Sequence, residues 1–242
     1  MPFTVTLLGV GEAYDAHEAN SAALVEARGF TLLIDCGHSA VPAIWRRCAD
    51  PDMIDAIYLT HHHADHVLGL LPVAERWISQ RRRRALTILT TRSGIDHLHR
   101  LFAAGSIPLD GTAPYPIILR TAADTAQLGP CALAVAPTRH AVPNHAIRLE
   151  LEGSRFAYSG DGRPTEQALA LYADADLLVH ECYVPEQSDL PYHCDLPTVR
   201  AIAGPPRIGL CHIRAGDREA MKARIAGDPR LFVPEAGTRL TL

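Results

Sequence analysis

The sequence lacks the features that mark membrane-spanning and exported proteins. No apolar run approaches the roughly 20 residues that a helix needs to cross a bilayer. Residues 1–9 have the pattern of a strand and lack the basic and then apolar plan of a signal peptide. We therefore expect a cytoplasmic protein that makes no contact with a membrane.

The sequence also lacks an excess of positive charge and any closely spaced cysteine pair. Its formal net charge is −4, from 23 basic and 27 acidic residues, which disfavours a generally basic body that binds nucleic acid. The six cysteines include no C-x-x-C pair and are expected to be free thiols in or near the core, Cys211 among them. The one strong charge run either contacts an anionic substrate or forms a solvated helix end, and it consists of Arg81, Arg82, Arg83 and Arg84.

The composition that remains is that of a globular protein with a core. Hydrophobic residues make up 48% of the 242 residues and charged residues make up 21%. We expect one α/β domain over residues 1–242, although the length alone would also permit two. Strand patterns cover residues 3–8, 22–26, 30–34, 54–59, 86–89, 117–119, 131–136, 146–151, 176–182 and 207–212, and helix patterns cover 42–48, 67–80, 93–104, 165–173 and 197–203.

Four histidines and an aspartate crowd into six positions after the strand predicted over 54–59. Buried ionisable groups need partners, and one divalent cation can partner several of them. His61 and His63 alternate on an extended segment and point the same way, so they can share an ion. Asp65 and His66 lie one turn further on, where the chain bends into a helix, and they can face a second ion. Imidazole and carboxylate ligands suit zinc, manganese or iron.

Several later segments end a strand pattern in the same kinds of residue. The motifs are H-A-V-P at 140–143, Y-S-G-D-G-R-P at 158–164, V-H-E at 179–181 and C-H at 211–212. Together with H-x-H-x-D-H at 61–66, they resemble the metallo-β-lactamase superfamily of metal-dependent hydrolases. The residue patterns of these motifs most resemble those of the ribonuclease Z and phosphoribosyl cyclic phosphodiesterase branches of that superfamily.

The resemblance implies both a fold and a set of metal ligands. The fold is a four-layer αββα sandwich, in which two mixed sheets pack face to face with helices outside. Two divalent metal ions are implied, one in each of two neighbouring ligand sets. The ligands are His61, His63 and His140 for one ion, Asp65, His66 and His212 for the other, and Asp161 as the bridge between them.

The resemblance also implies supporting and catalytic residues. Asp35 is expected to hold a ligand histidine through a hydrogen bond. The catalytic residues implied are Asp65, Glu181 and His193, of which the last two form a pair that protonates the leaving oxygen. The match at His193 is looser than the others, because Cys-Asp follows it where the family usually has Ser-Thr.

These groups together predict a hydrolase. Two ions about 3.5–4 Å apart can share a bridging water and lower its pKa toward neutrality, which supplies hydroxide for attack. The motifs favour a phosphodiesterase that acts on a small cyclic or linear phosphodiester. Only about twenty residues separate His140 from Asp161, too few for the arm with which ribonuclease Z enzymes usually hold tRNA. We therefore do not expect a long RNA as the partner.

Other interpretations stay open at this point. The same site can serve a carboxylic ester, lactone or thioester hydrolase, and a metal-bearing binding or sensing protein without turnover is the alternative from another class. The ions are zinc or manganese, with iron as a further option, and the oligomeric state is open, with a homodimer implied by the family. His38 is expected at the pocket rim or at a helix start. His145 either lines the pocket or lies on the returning strand.

Overall fold

The computed structural model describes residues 3–242, which contain fifteen strands and seven α-helices. The strands are β1 (Thr4–Gly9), β2 (Ala22–Ala27), β3 (Phe30–Ile34), β4 (Ala56–Tyr58), β5 (Leu86–Thr90), β6 (Ile117–Thr121), β7 (Gln127–Leu128), β8 (Cys131–Arg139), β9 (Asn144–Leu151), β10 (Ser154–Tyr158), β11 (Arg163–Pro164), β12 (Leu177–Glu181), β13 (Ile208–Cys211), β14 (Leu231–Phe232) and β15 (Arg239–Thr241). The helices are α1 (Val41–Arg47), α2 (Ala64–Val67), α3 (Leu70–Ser79), α4 (Gly94–Ala104), α5 (Glu166–Tyr172), α6 (Leu196–Arg200) and α7 (Arg218–Ile225).

The strands form two mixed sheets that follow the same plan. The first has the order β15-β1-β2-β3-β4-β5-β6, antiparallel from β15 to β3 and parallel from β3 to β6. The second has the order β11-β8-β9-β10-β12-β13-β14, antiparallel as far as β10 and parallel beyond it, with β7 paired to β8. Strands β2 and β3 form a hairpin, and its turn residues Arg28 and Gly29 have φ values of 46° and 76°. Two-residue hairpin turns of this hand need such positive φ angles.

Three apolar layers hold the two sheets and their helices together. Side chains such as Val5 and Tyr58 from the first sheet pack between the sheets against Phe156 and Val179 from the second. Helices α1, α3 and α4 cover the outer face of the first sheet, and α5, α6 and α7 cover the outer face of the second. The predicted αββα sandwich is therefore confirmed.

The helices are short, and one predicted helix is divided in two. The longest helix in the described part of the chain is α4 with 11 residues, and none there is long and apolar enough to cross a membrane. The helix expected over 67–80 is instead α2 and α3, with Gly69 at the junction. The Gly69 N–H donates to the Cys36 carbonyl at 2.8 Å, and a Cβ at this position would lie 2.5 Å from the Gly37 carbonyl oxygen. This close backbone approach requires glycine and ends α2 beside the histidine cluster.

Candidate active site

Most of the predicted site residues lie at or just beyond the carboxyl ends of five strands, namely β4, β8, β10, β12 and β13. Because β10, β12 and β13 run parallel to one another, their carboxyl ends open on the same edge of the second sheet. The site residues that the five strand ends deliver are, in chain order, His61 and His63, His140, Asp161, Glu181 and His212.

A first cluster brings together four ligand atoms, one each from His61, His63, His140 and Asp161. Nε2 of His61 and Nε2 of His140 each lie 3.1 Å from Nδ1 of His63. Oδ2 of Asp161 lies 3.8 Å from the His61 nitrogen and 4.0 Å from the His140 nitrogen. Ligands of a tetrahedral zinc ion, at roughly 2.0–2.1 Å from the metal, are about 3.3 Å from one another. The spacing of this cluster therefore fits a single cation.

A second cluster lies on the other side of Asp161 and contains Asp65, His66 and His212. Nε2 of His66 lies 3.2 Å from Oδ2 of Asp65 and 3.6 Å from Oδ1 of Asp161. Nε2 of His212 lies 3.2 Å from Oδ2 of Asp161, so this carboxylate contacts both clusters. The Nε2 atom of His66 is buried and makes no hydrogen bond of normal geometry. A buried nitrogen of this kind needs a partner, and a cation between these side chains would provide it.

Asp35 and Thr60 orient one histidine in each cluster. Oδ2 of Asp35 lies 2.8 Å from Nδ1 of His66, and its carboxylate also accepts from the Thr60 hydroxyl at 2.9 Å. The same hydroxyl lies 3.0 Å from Nδ1 of His61, from which it accepts because its own proton is directed to Asp35. In the neutral imidazoles both Nδ1 atoms therefore carry the proton, and both Nε2 atoms face the clusters with a free lone pair. The structure places Asp35 where the predicted supporting role requires it.

The local charges match this arrangement. Burial lowers the pKa of His61 well below its ordinary value and keeps the imidazole neutral, which is the form that binds metal. Burial alone would also lower the pKa of His66, but the facing carboxylates of Asp161 and Asp35 outweigh it and raise this pKa well above its ordinary value. The two carboxylates therefore favour a positive charge beside them at this position.

Glu181 and His193 form a pair beside the second cluster. Nδ1 of His193 lies 3.0 Å from Oε2 of Glu181, which is fully buried. Oε1 of Glu181 accepts from the backbone N–H groups of Gly162 at 3.0 Å and Cys194 at 2.7 Å. The Tyr183 ring stacks on the His193 ring at 4.7 Å. Both Glu181 oxygens thus accept hydrogen bonds, and the carboxylate holds the His193 ring through Nδ1. The Nε2 atom of that ring is left free.

A cavity of about 530 Å³ gives access to both clusters and to His193. Beyond the cluster residues, its wall includes Glu12, Tyr14, His38 and Tyr183. His38 also begins a short 3-10 turn, so both parts of its prediction are confirmed. His145 is not among the lining residues; it is half-buried on β9, which agrees with the strand alternative.

The sequence reasoning missed the role of Arg82. Neither alternative for the arginine run describes this residue, because its side chain is among the most buried in the described structure. Its guanidinium donates to the carbonyls of Pro51, Ile54, Arg84 and Ala85 at 2.5–3.0 Å. No sequence signal distinguishes this arginine from its three neighbours.

The cysteines agree with the prediction. All six are buried and unpaired. Burial raises the pKa of the Cys211 thiol to about 12, and its Sγ atom lies 3.6 Å from the His180 carbonyl oxygen. Cys211 is therefore a small core residue and an unreactive thiol.

Comparisons of the sequence and of the fold with known proteins identify several relatives. The sequence profile of the family described as "Anti-Pycsar protein Apyc1" matches residues 3–205. The Anti-Pycsar protein Apyc1 of Paenibacillus harenae is 29% identical over 191 residues, which cover 75% of this chain and 78% of that protein. A ribonuclease Z of Mycolicibacterium gilvum (strain PYR-GCK) is 30% identical over 192 residues, which cover 73% of this chain and 67% of that protein. The crystal structure of the metallo-β-lactamase fold protein YhfI from Bacillus subtilis superposes with a TM-score of 0.84 at 20% identity and covers 99% of both chains.

Fold and relatives together define a metallo-β-lactamase fold protein of the ribonuclease Z-like branch, a branch of hydrolases. Within that class, the chain belongs to the Anti-Pycsar protein Apyc1 family. The superfamily and branch predicted from the motifs are thus confirmed. The family within the branch was not predicted from the motifs.

Proposed function

We propose that this protein is a dinuclear metal-dependent phosphodiesterase that hydrolyses a small cyclic or linear phosphodiester, with residues 1–242 acting as one catalytic domain. The observation that carries the proposal is that the Asp161 carboxylate contacts histidines of both clusters and that the clusters open on the cavity that His193 lines. The name of the related ribonuclease Z is consistent with a phosphodiester substrate.

We assign the two clusters to two divalent ions, zinc or manganese, with iron as a further option. When bound, such a pair lowers the pKa of a water and offsets the charge that develops on the phosphoryl oxygens. Asp65 lines the cavity, where its carboxylate can also orient the attacking water. The ligand assignment is His61, His63 and His140 for one ion, Asp65, His66 and His212 for the other, and Asp161 for both.

His193 has the contacts of a proton donor for the leaving oxygen. Its Nδ1 is held by Glu181 at 3.0 Å, so Nε2 is the ring nitrogen left for the substrate in the cavity. Burial alone would lower the pKa of His193, but the hydrogen bond to Glu181 and the nearby carboxylates outweigh it and raise the pKa. A raised pKa keeps the imidazolium, the proton-donating form, populated near neutral pH. An alkoxide leaving group needs such a donor.

The substrate we propose is small. Between His140 and Asp161 the chain consists of β9 and β10 joined by short turns, which leaves little room there for an arm that holds tRNA. The cavity of about 530 Å³ has the size of an ordinary small-molecule site.

An assay of the metal-loaded protein on five substrate classes tests the reaction. The substrates are bis(p-nitrophenyl) phosphate, 3′,5′-cyclic mononucleotides, precursor tRNA, p-nitrophenyl acetate and a panel of lactones and thioesters. We expect hydrolysis of the first two. Activity confined to the esters, lactones or thioesters would replace the phosphodiester assignment, and inactivity on all five with a ligand retained in the cavity would indicate a binding protein. Light scattering of the same preparation tests the homodimer, which stays a prediction.

Metal analysis of single variants tests the ligand assignment. We expect His140→Ala and His212→Ala each to reduce the bound metal from about two ions per chain to about one, because each removes a ligand from a different cluster. The exposed His99→Ala on α4 is the matched control and should keep both ions. Full metal content in both cluster variants would contradict the assignment while leaving the hydrolase assay to be judged by itself.

A further inference from the structure

Arg163 donates hydrogen bonds to the backbone of the segment that carries His193. Its Nη1 atom donates to the His193 carbonyl at 2.9 Å, and its Nη2 atom donates to Oδ2 of Asp195 at 2.7 Å. Nη2 also lies 3.3 Å from the Ser188 carbonyl oxygen and from Oγ1 of Thr198. Because the two nitrogens of the planar guanidinium have different partners, they fix both the position and the orientation of this segment.

The ion pair between Arg163 and Asp195 is largely buried. The Asp195 side chain is 1% exposed and the Arg163 side chain 16%. Asp195 in turn accepts from the backbone N–H of Thr198 at 2.9 Å, which caps α6, and from that of Ser188 at 3.1 Å. Breaking this pair would leave a buried charge without a partner, which is strongly destabilising. The contact is therefore expected to stay formed in the folded protein.

Glu181 holds His193 from the other side. It binds the ring through Nδ1 at 3.0 Å and the following backbone N–H, that of Cys194, at 2.7 Å. Arg163 binds the carbonyl of the same histidine. Glu181 and Arg163 thus bind different atoms of His193 and fix its place in the cavity, while its Nε2 atom stays free.

The three consecutive residues 161–163 link these contacts on His193 to the two clusters of proposed metal ligands. Asp161 stands between the clusters, the Gly162 N–H donates to Glu181 at 3.0 Å, and Arg163 grips the His193 segment. Gly162 has a φ of 99°, and a Cβ there would lie 2.6 Å from the Arg139 carbonyl oxygen, so this link requires glycine.

We propose that Arg163 is a positioning residue for His193 and sets the distance between the proton donor and the metal centre. Arg163 does not line the cavity and acts through the histidine carbonyl. The inference rests on the proposed phosphodiesterase function, in which His193 protonates the leaving oxygen.

The test compares two phosphodiesters that differ in their need for a proton donor. A 3′,5′-cyclic mononucleotide releases an alkoxide, whereas bis(p-nitrophenyl) phosphate releases a nitrophenolate that departs unprotonated. In Arg163→Lys the single nitrogen of lysine keeps the charge beside Asp195 but cannot also reach the His193 carbonyl. General acid catalysis contributes about 10²–10⁴-fold, so we expect this variant to lower the cyclic-to-nitrophenyl ratio of kcat/KM about tenfold, through kcat rather than KM. His193→Ala should lower the same ratio by about 100-fold.

Two further variants separate positioning from general loss of structure. Thr198→Val removes only the 3.3 Å contact with Nη2, so this control should keep the ratio of the wild type. The double variant Arg163→Lys/His193→Ala should show a ratio no lower than that of His193→Ala, because both changes act through the same histidine. Metal content and thermal unfolding are measured on every variant.

The outcomes distinguish the inference from the function on which it rests. An unchanged ratio, or equal losses on both substrates, in folded and metal-loaded Arg163→Lys overturns the inference alone. If that variant does not fold, the double variant Arg163→Met/Asp195→Asn removes both charges of the buried pair together, so neither is left uncompensated. It also removes the donor to the His193 carbonyl, so an unchanged ratio there overturns the inference as well. A wild-type protein that hydrolyses neither substrate removes the proposed function and the inference with it.

Discussion

Oδ2 of Asp35 lies 2.8 Å from Nδ1 of His66, one of the candidate metal ligands. The same carboxylate accepts from Thr60, whose hydroxyl in turn accepts from His61, so one buried aspartate orients an imidazole in each cluster. Asp35 has a φ of 58°, a left-handed conformation that costs of order 1–3 kcal/mol and persists only where surrounding contacts fix it. The backbone strain at this position is thus tied to the orientation of two candidate ligands.

The first prediction is that Asp35→Asn weakens metal binding. An asparagine keeps the shape of the side chain but loses the negative charge that accepts from the His66 Nδ1–H group and from the Thr60 hydroxyl, which in turn accepts from His61. Residues that orient metal ligands typically contribute a factor of about 10–100 in affinity, and we expect a loss in this range. Competition with a chromogenic chelator measures it. Asp96→Asn, at an exposed position in the first turn of α4, is the control and should bind metal as the wild type does; equal affinities in the two variants would refute the orienting role.

The second prediction concerns the pH dependence of hydrolysis. Burial alone would lower the pKa of His193, but the hydrogen bond that its Nδ1–H donates to Glu181 stabilises the charged form and raises the pKa, so Glu181→Gln should lower it. The proton donor must be charged to act, and in the variant it loses its proton at a lower pH. We therefore expect the alkaline limb of kcat/KM for an alkoxide-releasing phosphodiester to move to lower pH.

A pH profile of the variant beside that of Glu186→Gln provides the comparison. Glu186 is an exposed residue whose carboxylate pairs with Arg224, so its substitution should leave the limb in place. A limb that stays put in Glu181→Gln, or that moves to higher pH, would show that His193 is not the donor whose ionisation limits the rate.

The part of the site that could be predicted is the part encoded by local spacing. His61 and His63 follow one strand at alternate positions, and Asp161 and His212 each end a strand pattern, so their residue types and positions carry the chemistry directly. The convergence of these strand ends follows from the mixed sheets, which the motif resemblance implied. The predicted fold is therefore confirmed, and the structure brings the predicted side chains together, while their role as metal ligands stays a prediction.

The part that could not be predicted depends on backbone atoms from distant segments. Arg163 acts through the carbonyl of a residue thirty positions later in the chain, and no periodicity marks such a contact. The break between α2 and α3 has the same origin, because Gly69 is fixed by the Cys36 carbonyl and not by its neighbours in sequence. His145 has a free buried Nδ1 atom on β9 that neither the motif nor the structure connects to the site.

The third prediction follows from Arg82, whose side chain is only 2% exposed among the apolar residues under the first sheet. Its guanidinium donates to four carbonyls and stacks over the Trp77 ring at 4.8 Å and the Tyr115 ring at 5.3 Å. Arg82→Met would fill most of the space but leave these carbonyls unpaired, and hydrogen bonds to charged groups contribute about 1.5–3 kcal/mol.

We expect Arg82→Met to lower the free energy of unfolding by about 3 kcal/mol in urea titrations, with an unchanged dependence on urea concentration. The adjacent Arg83→Met is the matched control, because the Arg83 side chain is exposed and only its backbone N–H is bonded, to Asp52. The control should stay within about 0.5 kcal/mol of the wild type. Similar losses in the two variants would mean that the arginine run acts through its total charge, whereas a loss confined to Arg82 identifies the buried hydrogen bonds as the cause.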